Sequence, residues 1–208
     1  MPARRTQQQR SSESRRKLID AAIELLAVRG YAGTSFAAMG EKAGLSRGLV
    51  THYFGTKEQC IAEVVAHIRD QVLDRLAEAR APRGIAAIDL LFEAYLGEGT
   101  SGEHQPRAMY TVFIEALTSS PGLLPAVAEN NRQIRVLIER WLAQAVADGD
   151  ATTADPASDA TMIEGILRGV LLQVLVDADS FDRDAIIRSS QRAARAIVGA
   201  AAPTPRDH

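Results

Sequence analysis

Two very short helical segments constrain this chain more than any other feature of its sequence. The segments FAAMGEKA and RGLVTHYF each follow a residue that can cap a helix, Thr34 or Ser35 for the first and Ser46 for the second, and they end at Gly44 and Gly55. Helices of about two turns are marginal in isolation. We therefore expect both segments to pack against a larger helical body.

Longer helices are predicted on both sides of this pair. From Ser14 to Arg29 the apolar residues recur at intervals of three and four, and Gly30 ends the pattern. Aromatic residues make up only 5% of the chain, and no segment alternates as a strand does. The sequence therefore predicts an all-α fold of about nine helices. The remaining helices are expected over residues 57 to about 80, 84–97, 106–119, 122–147, 156–178 and 182–200.

The charge of the chain is unevenly distributed. Residues 1–60 contain 10 Arg and Lys against 5 Asp and Glu, whereas the remainder contains 14 against 21. A basic head on an acidic body is typical of a nucleic-acid-binding protein, although a basic tail can also be simply solvated. We predict a DNA-binding domain with an N-terminal arm over 1–56 and a second domain over 57–208, which the helix at 57–80 connects to the first.

The two short helices fit a helix-turn-helix, in which the second helix enters the major groove of DNA. Gly40 is small enough for the helices to approach each other, and Gly44 allows the tight turn between them. A solvated amphipathic helix is the alternative. The residues expected to face inward are Phe36, Met39, Ala43, Leu45, Val50 and Phe54. Those expected to face outward are Arg47, Gly48, Thr51 and His52, with Leu49 and Tyr53 at the flanks.

The segment from Leu18 to Val65 resembles the DNA-binding head of the tetracycline-repressor (TetR) family of transcription regulators. The resemblance rests on A-x-x-L-x-x-x-x-G-Y-x-x-T-S across the first helix and its exit, and on AGLSRGLVTHYFGTKE further along. It covers about a quarter of the chain, and the rest is similar to the family only in length and helix count. Gly40 departs from the pattern, since many members have Ala there. The resemblance implies a ligand-responsive repressor that binds a palindromic operator as a dimer and is released by a small molecule.

The resemblance also implies which residues contact DNA. Arg47 is the best candidate for a bidentate contact to guanine. Lys57 is expected at a helix N-terminus, which already favours phosphate. Arg4, Arg5 and Arg10 form either a minor-groove arm or a tail without a fixed partner. The implied DNA contacts are Thr34, Ser35, Ser46, Arg47, Gly48, Leu49, Thr51, His52, Tyr53 and Lys57.

A regulator of this kind implies a second site for a small molecule. The segments AAIDLLFEAYL, MYTVFIEAL and IRVLIERWL are apolar on more of their circumference than a surface helix needs. Each candidate residue is also compatible with plain core packing. Glu115 and Glu139 are either buried polar anchors or part of a solvated face. The candidate ligand-binding residues are His67, Leu91, Tyr95, Met109, Tyr110, Phe113, Trp141 and Met162.

Small residues on the last two helices predict a homodimer interface. They would allow close approach of helices in a contact between two subunits, although Ala-rich helices also pack inside one chain. A twofold protein suits a palindromic operator. The candidate interface residues are Gly165, Gly169, Ala185, Ser189, Ala193 and Ala196.

Catalytic patterns are missing from the sequence. The four histidines show no metal-ligand spacing, and there is no phosphate loop or dinucleotide fingerprint, so we predict no enzyme, no metal and no cofactor. The alternative function is a helical ligand- or redox-sensing module without DNA binding, with Cys60 as its thiol; a buried structural cysteine is the competing interpretation. One cysteine and the lack of a secretion signal or an apolar span predict a cytoplasmic protein with no membrane partner.

Overall fold

The computed structural model describes residues 7–78, 83–97 and 104–200. Within those ranges the chain forms nine α-helices, two short 3-10 turns and no strand, which confirms the predicted all-α fold. The helices are α1 (Gln7–Gly33), α2 (Phe36–Ala43), α3 (Arg47–Phe54), α4 (Lys57–Glu78), α5 (Gly84–Leu96), α6 (His104–Thr118), α7 (Leu124–Asp148), α8 (Pro156–Val176) and α9 (Arg183–Ile197).

The structure extends the first predicted helix toward the N-terminus. Helix α1 begins at Gln7 rather than at Ser14. The sequence pattern does not predict this earlier start, because residues 7–17 are polar and mostly exposed and show no apolar periodicity. At its other end, Gly30 has the left-handed φ of 70°, so the regular helix stops there as predicted and a turn continues to Gly33. The predicted end of the fourth helix near Arg80 lies outside the described residues.

The described residues of 1–69 and 101–128 form the first compact unit. Helix α1 buries one side against α2, α3, the beginning of α4 and α6. Its fully buried Leu18 and Leu26 lie in the same apolar core as Met39 of α2, Val50 of α3 and Ile61 of α4. These buried side chains anchor the two short helices, which could not persist alone.

The described residues of 70–100 and 129–208 form the second compact unit. It contains α5, most of α7, α8 and α9, whose buried faces are rich in Leu and Ile. The Asp155 side chain caps α8 by accepting a hydrogen bond from the Ser158 N–H at 3.2 Å, and Pro156 occupies the first turn, as predicted. Asp182 caps α9 in the same way.

The two units do not coincide with the predicted division at residue 56, because α6 packs with α1 in the first unit. The predicted division concerns roles, DNA binding against ligand binding and dimerisation, and it stays a prediction. Over the described ranges, no single helix is long and apolar enough to cross a membrane; the bent pair His104–Thr118 and Pro121–Asp148 passes that test only when its two helices are taken together.

Candidate nucleic-acid interface

Helix α3 is fixed in place by a cap at each end and by two buried side chains. The Ser46 hydroxyl accepts a hydrogen bond from the Leu49 N–H at 3.3 Å, and the Gly55 N–H donates to the Thr51 carbonyl at 2.9 Å. Val50 is fully buried and Phe54 is 3% exposed. Because these two residues hold one side of the helix in the core, the opposite side must face solvent.

The turn before α3 sets the angle at which this helix leaves the body of the unit. Gly44 has the left-handed φ of 68°, and the Leu45 N–H donates to the Gly40 carbonyl at 2.8 Å. A Cβ placed on Gly40 would lie 2.6 Å from the Leu45 carbonyl oxygen. The close approach predicted at Gly40 is therefore present, and an alanine there would force a shift of the turn.

The outer side of α3 carries the residues predicted to face outward. Arg47, Gly48, Thr51 and His52 are exposed, and Leu49 is half-buried at the flank. A Cβ on Gly48 would meet nothing within 4 Å, so this position offers an open path to the helix backbone. An exposed guanidinium beside a bare stretch of backbone suits contact with base edges and phosphates.

Tyr53 is tied to the N-terminal part of α1. Its hydroxyl lies 3.1 Å from the Ser11 hydroxyl, and its ring tilts against that of His52 with centroids 5.8 Å apart. Nearby, Arg15 forms a two-pronged ion pair with Glu63 and lies over the Phe54 ring, 5.7 Å from its centroid. Sequence reasoning missed Ser11 and Arg15, because their partners are 42 and 48 residues away and no local pattern links them.

Of the two candidate residues before α2, only Ser35 is exposed. Its hydroxyl caps α2 by accepting from the Ala38 N–H at 3.2 Å. Thr34 is fully buried, and its hydroxyl donates to the Gly30 carbonyl at 2.9 Å. This corrects the prediction for Thr34, whose side chain closes the turn after α1 and does not present a hydroxyl to phosphate.

Lys57 begins α4 as predicted, but its ammonium is already engaged. The ammonium donates to the Tyr31 carbonyl oxygen at 2.6 Å and lies 3.7 Å from the centroid of the Tyr31 ring. Ordinary periodicity could not have revealed this contact, which joins residues 26 apart.

Cys60 is fully buried in the same unit, 4.0 Å from the Met39 sulfur. Burial, with a smaller contribution from the nearby Glu63 carboxylate, raises the pKa of its thiol to about 12. A thiol in this state is a poor nucleophile, which supports the structural interpretation of the cysteine. Within the described residues, no group of three or more His, Cys, Asp and Glu side chains is placed to hold a metal ion.

The candidate ligand-binding residues are divided between the two units. In the first unit His67, Met109, Tyr110 and Phe113 are half-buried, and the rings of the last two meet edge to face with centroids 6.2 Å apart. In the second unit Leu91 and Trp141 are buried and Tyr95 is half-buried. Met162, also a candidate ligand-binding residue, is 57% exposed on the surface of α8. Glu115 and Glu139, proposed as either anchors or solvated residues, are both half-buried.

Helix α8 presents a stripe of small and apolar residues to solvent. Gly165 and Gly169 are exposed, and a Cβ on either would meet nothing within 4 Å. Met162, Leu172 and Val176 share this face at intervals of three and four, and Val176 is 79% exposed. We call these five residues the α8 stripe. On α9, Ser189, Ala193 and Ala196 are exposed and Ala185 is half-buried.

Comparisons with known proteins show similarity to bacterial transcription regulators. A sequence model of the family described as "Bacterial regulatory proteins, tetR family" matches residues 18–64, which include α2 and α3. The HTH-type transcriptional regulator CymR of Pseudomonas putida is 29% identical over 192 residues, which are 88% of this chain and 90% of CymR.

Solved structures share the fold over most of their length. A protein from Rhodococcus sp. described as a TetR-family transcriptional regulator superposes with a TM-score of 0.82 and 17% identity, over 90% of this chain and 99% of that one. A protein from Saccharomonospora viridis described as a transcriptional regulator, solved in complex with choline, gives a TM-score of 0.73 at 19% identity, over 87% of this chain and 95% of that one. At these identities the likeness establishes the fold.

Proposed function

This chain belongs to the tetR family of bacterial regulatory proteins, and we propose that it acts in the cytoplasm as a homodimeric repressor that leaves a palindromic operator when it binds a small molecule. The family consists of DNA-binding transcription factors, so the predictions of a transcriptional regulator and of a protein that is not an enzyme are confirmed. The alternative, a sensing module without DNA binding, is not favoured.

The observation that carries DNA binding is the exposed outer side of α3. We assign base reading to Arg47, because its guanidinium is exposed and can form two hydrogen bonds to a guanine. Gly48 lets the helix backbone come close to DNA, and Thr51 and His52 extend the same face. Leu49 is proposed to make an apolar contact in the groove from the flank of this face.

Phosphate contacts are proposed around this face. Ser35 and Ser46 are exposed caps at the starts of two short helices, Tyr53 brings a hydroxyl, and Lys57 brings an ammonium. Such contacts position the protein on DNA without reading its sequence. Thr34 is left out of this set because it is buried.

The α8 stripe supports the proposal of a homodimer. Exposed Met162, Leu172 and Val176 form an apolar surface, while Gly165 and Gly169 let a second helix come close. Ser189, Ala193 and Ala196 of α9 offer a second exposed small-residue face, with Ala185 at its edge. A dimer would present two copies of α3 to half-sites about 34–36 Å apart, one turn of B-DNA.

The effector proposal rests on the apolar excess of the helices that carry the candidate ligand-binding residues, and on the choline complex of the Saccharomonospora viridis protein. Helix α4 is continuous from Lys57 to Glu78, so it supplies residues to both compact units. A ligand that changes the position of this helix would move Lys57 and α3. By linkage, ligand and DNA would then weaken each other by the same factor.

An electrophoretic mobility-shift assay with DNA that flanks the protein's own gene tests the proposed function. Regulators often bind near their own genes, so one fragment should shift at a lower protein concentration than an unrelated duplex of the same length. DNase I footprinting of that fragment should protect two half-sites related by a dyad. Equal affinity for all duplexes would contradict operator recognition, and protection of a single half-site would contradict the dimer.

A further inference from the structure

The ammonium of Lys57 is held by a single residue in two ways. Tyr31, the first residue after the break at Gly30, offers its carbonyl oxygen at 2.6 Å and its ring at 3.7 Å. The same carbonyl also accepts the Thr34 N–H at 3.0 Å, which fixes it in place. A cation over an aromatic face is stabilised by the electrons of the ring, and more strongly where water is excluded.

Tyr31 is influenced in turn by the end of α6. Burial raises the pKa of the Tyr31 hydroxyl and the Ser120 side chain lowers it, and the Ser120 hydroxyl donates to a Glu115 carboxylate oxygen at 2.9 Å. The backbone repeats this link, because the Ser120 N–H donates to the Glu115 carbonyl at 2.9 Å. Tyr31, Ser120 and Glu115 belong, like Lys57, to the first compact unit, where α6 packs along α1.

Carboxylates on two helices act on the ammonium. Burial lowers the pKa of Lys57, while the negative charges of Glu115 on α6 and of Glu58 on α4 raise it. Both carboxylates therefore favour the charged ammonium where it lies, beside Tyr31. A DNA phosphate would have to compete with this local attraction.

We propose that Tyr31 is a positioning residue that competes with DNA phosphate for Lys57, and that Glu115 at the end of α6 sets the strength of this competition through Ser120. The inference rests on the proposed assignment of Lys57 to phosphate. Through this contact, α6 would affect DNA binding within one compact unit. The effect would pass through side chains and would not require a movement of the whole of α4. Releasing the ammonium from Tyr31 should strengthen binding to any DNA sequence, because phosphate contacts are independent of sequence.

A double-mutant cycle between Glu115→Gln and Lys57→Gln tests this proposal. The affinity of each variant for a fluorescent duplex of random sequence is measured by anisotropy over a range of salt concentrations. In the wild-type background Glu115→Gln should tighten binding about threefold to tenfold, the scale of one cation–π contact. In the Lys57→Gln background it should have no effect, because the residue through which it acts is gone.

Glu41→Gln is the matched control. Glu41 is exposed on α2 of the same unit, so removing its charge changes only the general field near DNA and should act equally in both backgrounds. Equal tightening by Glu115→Gln in both backgrounds, or no tightening in either, would overturn the proposal. A Lys57→Gln variant that binds DNA as tightly as the wild type would instead refute the phosphate assignment itself.

Ser120→Ala provides a second route if Glu115→Gln fails to fold. It keeps the carboxylate of Glu115 but removes the hydroxyl that donates to it and that acts on Tyr31. Like Glu115→Gln, it should tighten binding to the duplex, and only when Lys57 is present. Tightening that persists in the Lys57→Gln background would overturn the proposal.

Discussion

Glu164 supports the position of α8, and its replacement should lower the free energy of unfolding. Its side chain is only 6% exposed, yet it accepts from Arg168 at 2.8 Å and from Arg135 of α7 at 3.1 Å. Arg168 also donates to the Asn131 side chain at 3.0 Å. This network joins α7 to α8, so it helps to fix the position of the helix that carries the α8 stripe.

The expected cost of Glu164→Gln follows from these contacts. Hydrogen bonds to charged groups contribute about 1.5–3 kcal/mol each, and breaking a fully buried ion pair costs about 3–5 kcal/mol. Arg168 is 20% exposed and Arg135 is 33% exposed, so both guanidinium groups can partly recover water. We therefore expect a loss of about 2–3 kcal/mol in the free energy of unfolding, and a melting temperature lower by about 4–12 °C for a chain of this size.

Urea unfolding followed by circular dichroism at 222 nm measures this loss, at one fixed protein concentration because a dimer would make stability depend on it. Glu129→Gln is the control: Glu129 pairs with Arg132 on α7, but the two side chains are 46% and 59% exposed. An exposed pair contributes about 0–1 kcal/mol. A loss for Glu164→Gln no larger than that of the control would refute the proposed role of the network.

The other predictions concern the interface, the cysteine and the effector. Gly169→Leu should leave the fold intact, since a Cβ there meets nothing within 4 Å, but should convert a dimer to monomers in analytical ultracentrifugation; an unchanged sedimentation coefficient would argue against the α8 stripe as the interface. Because burial raises the pKa of Cys60 to about 12, iodoacetamide at pH 8 should modify the folded protein at least about a hundredfold more slowly than the urea-unfolded protein, and comparable rates would revive a redox role. A ligand found by thermal-shift screening should bind about 5- to 150-fold more weakly in the presence of operator DNA, and equal dissociation constants would exclude ligand-induced release.

The features of this fold that depend on residues close together in the sequence can be predicted from the sequence. The caps at Ser35 and Ser46, the turn at Gly44 and the outward residues of α3 all follow from patterns a few residues long, and the structure reproduces them. The family resemblance could be identified for the same reason, since it is carried by that one segment.

The features that sequence reasoning missed depend on contacts between distant parts of the chain. The hydroxyl of Thr34 suits a phosphate contact, but the turn after α1 uses it internally. Tyr31 and Lys57 meet only because the end of α1 folds beside the start of α4. Met162 is an apolar residue of the type that lines ligand pockets, but its position on α8 places it on the exposed stripe. Residue type suggests a role in each case, and tertiary position decides it.

The most direct test of the central claim is the ratio of two affinities, for the operator and for an unrelated duplex of equal length, in the variants Arg47→Ala and Lys57→Ala. If Arg47 reads a base, its loss should cost about 1–3 kcal/mol on the operator, reduce the ratio and relax the preference at one base pair. If Lys57 contacts phosphate, its loss should weaken both affinities by the same factor, leave the ratio unchanged and lower the slope of log affinity against log salt by about one. An unchanged ratio for Arg47→Ala would contradict the claim that the exposed side of α3 recognises the operator.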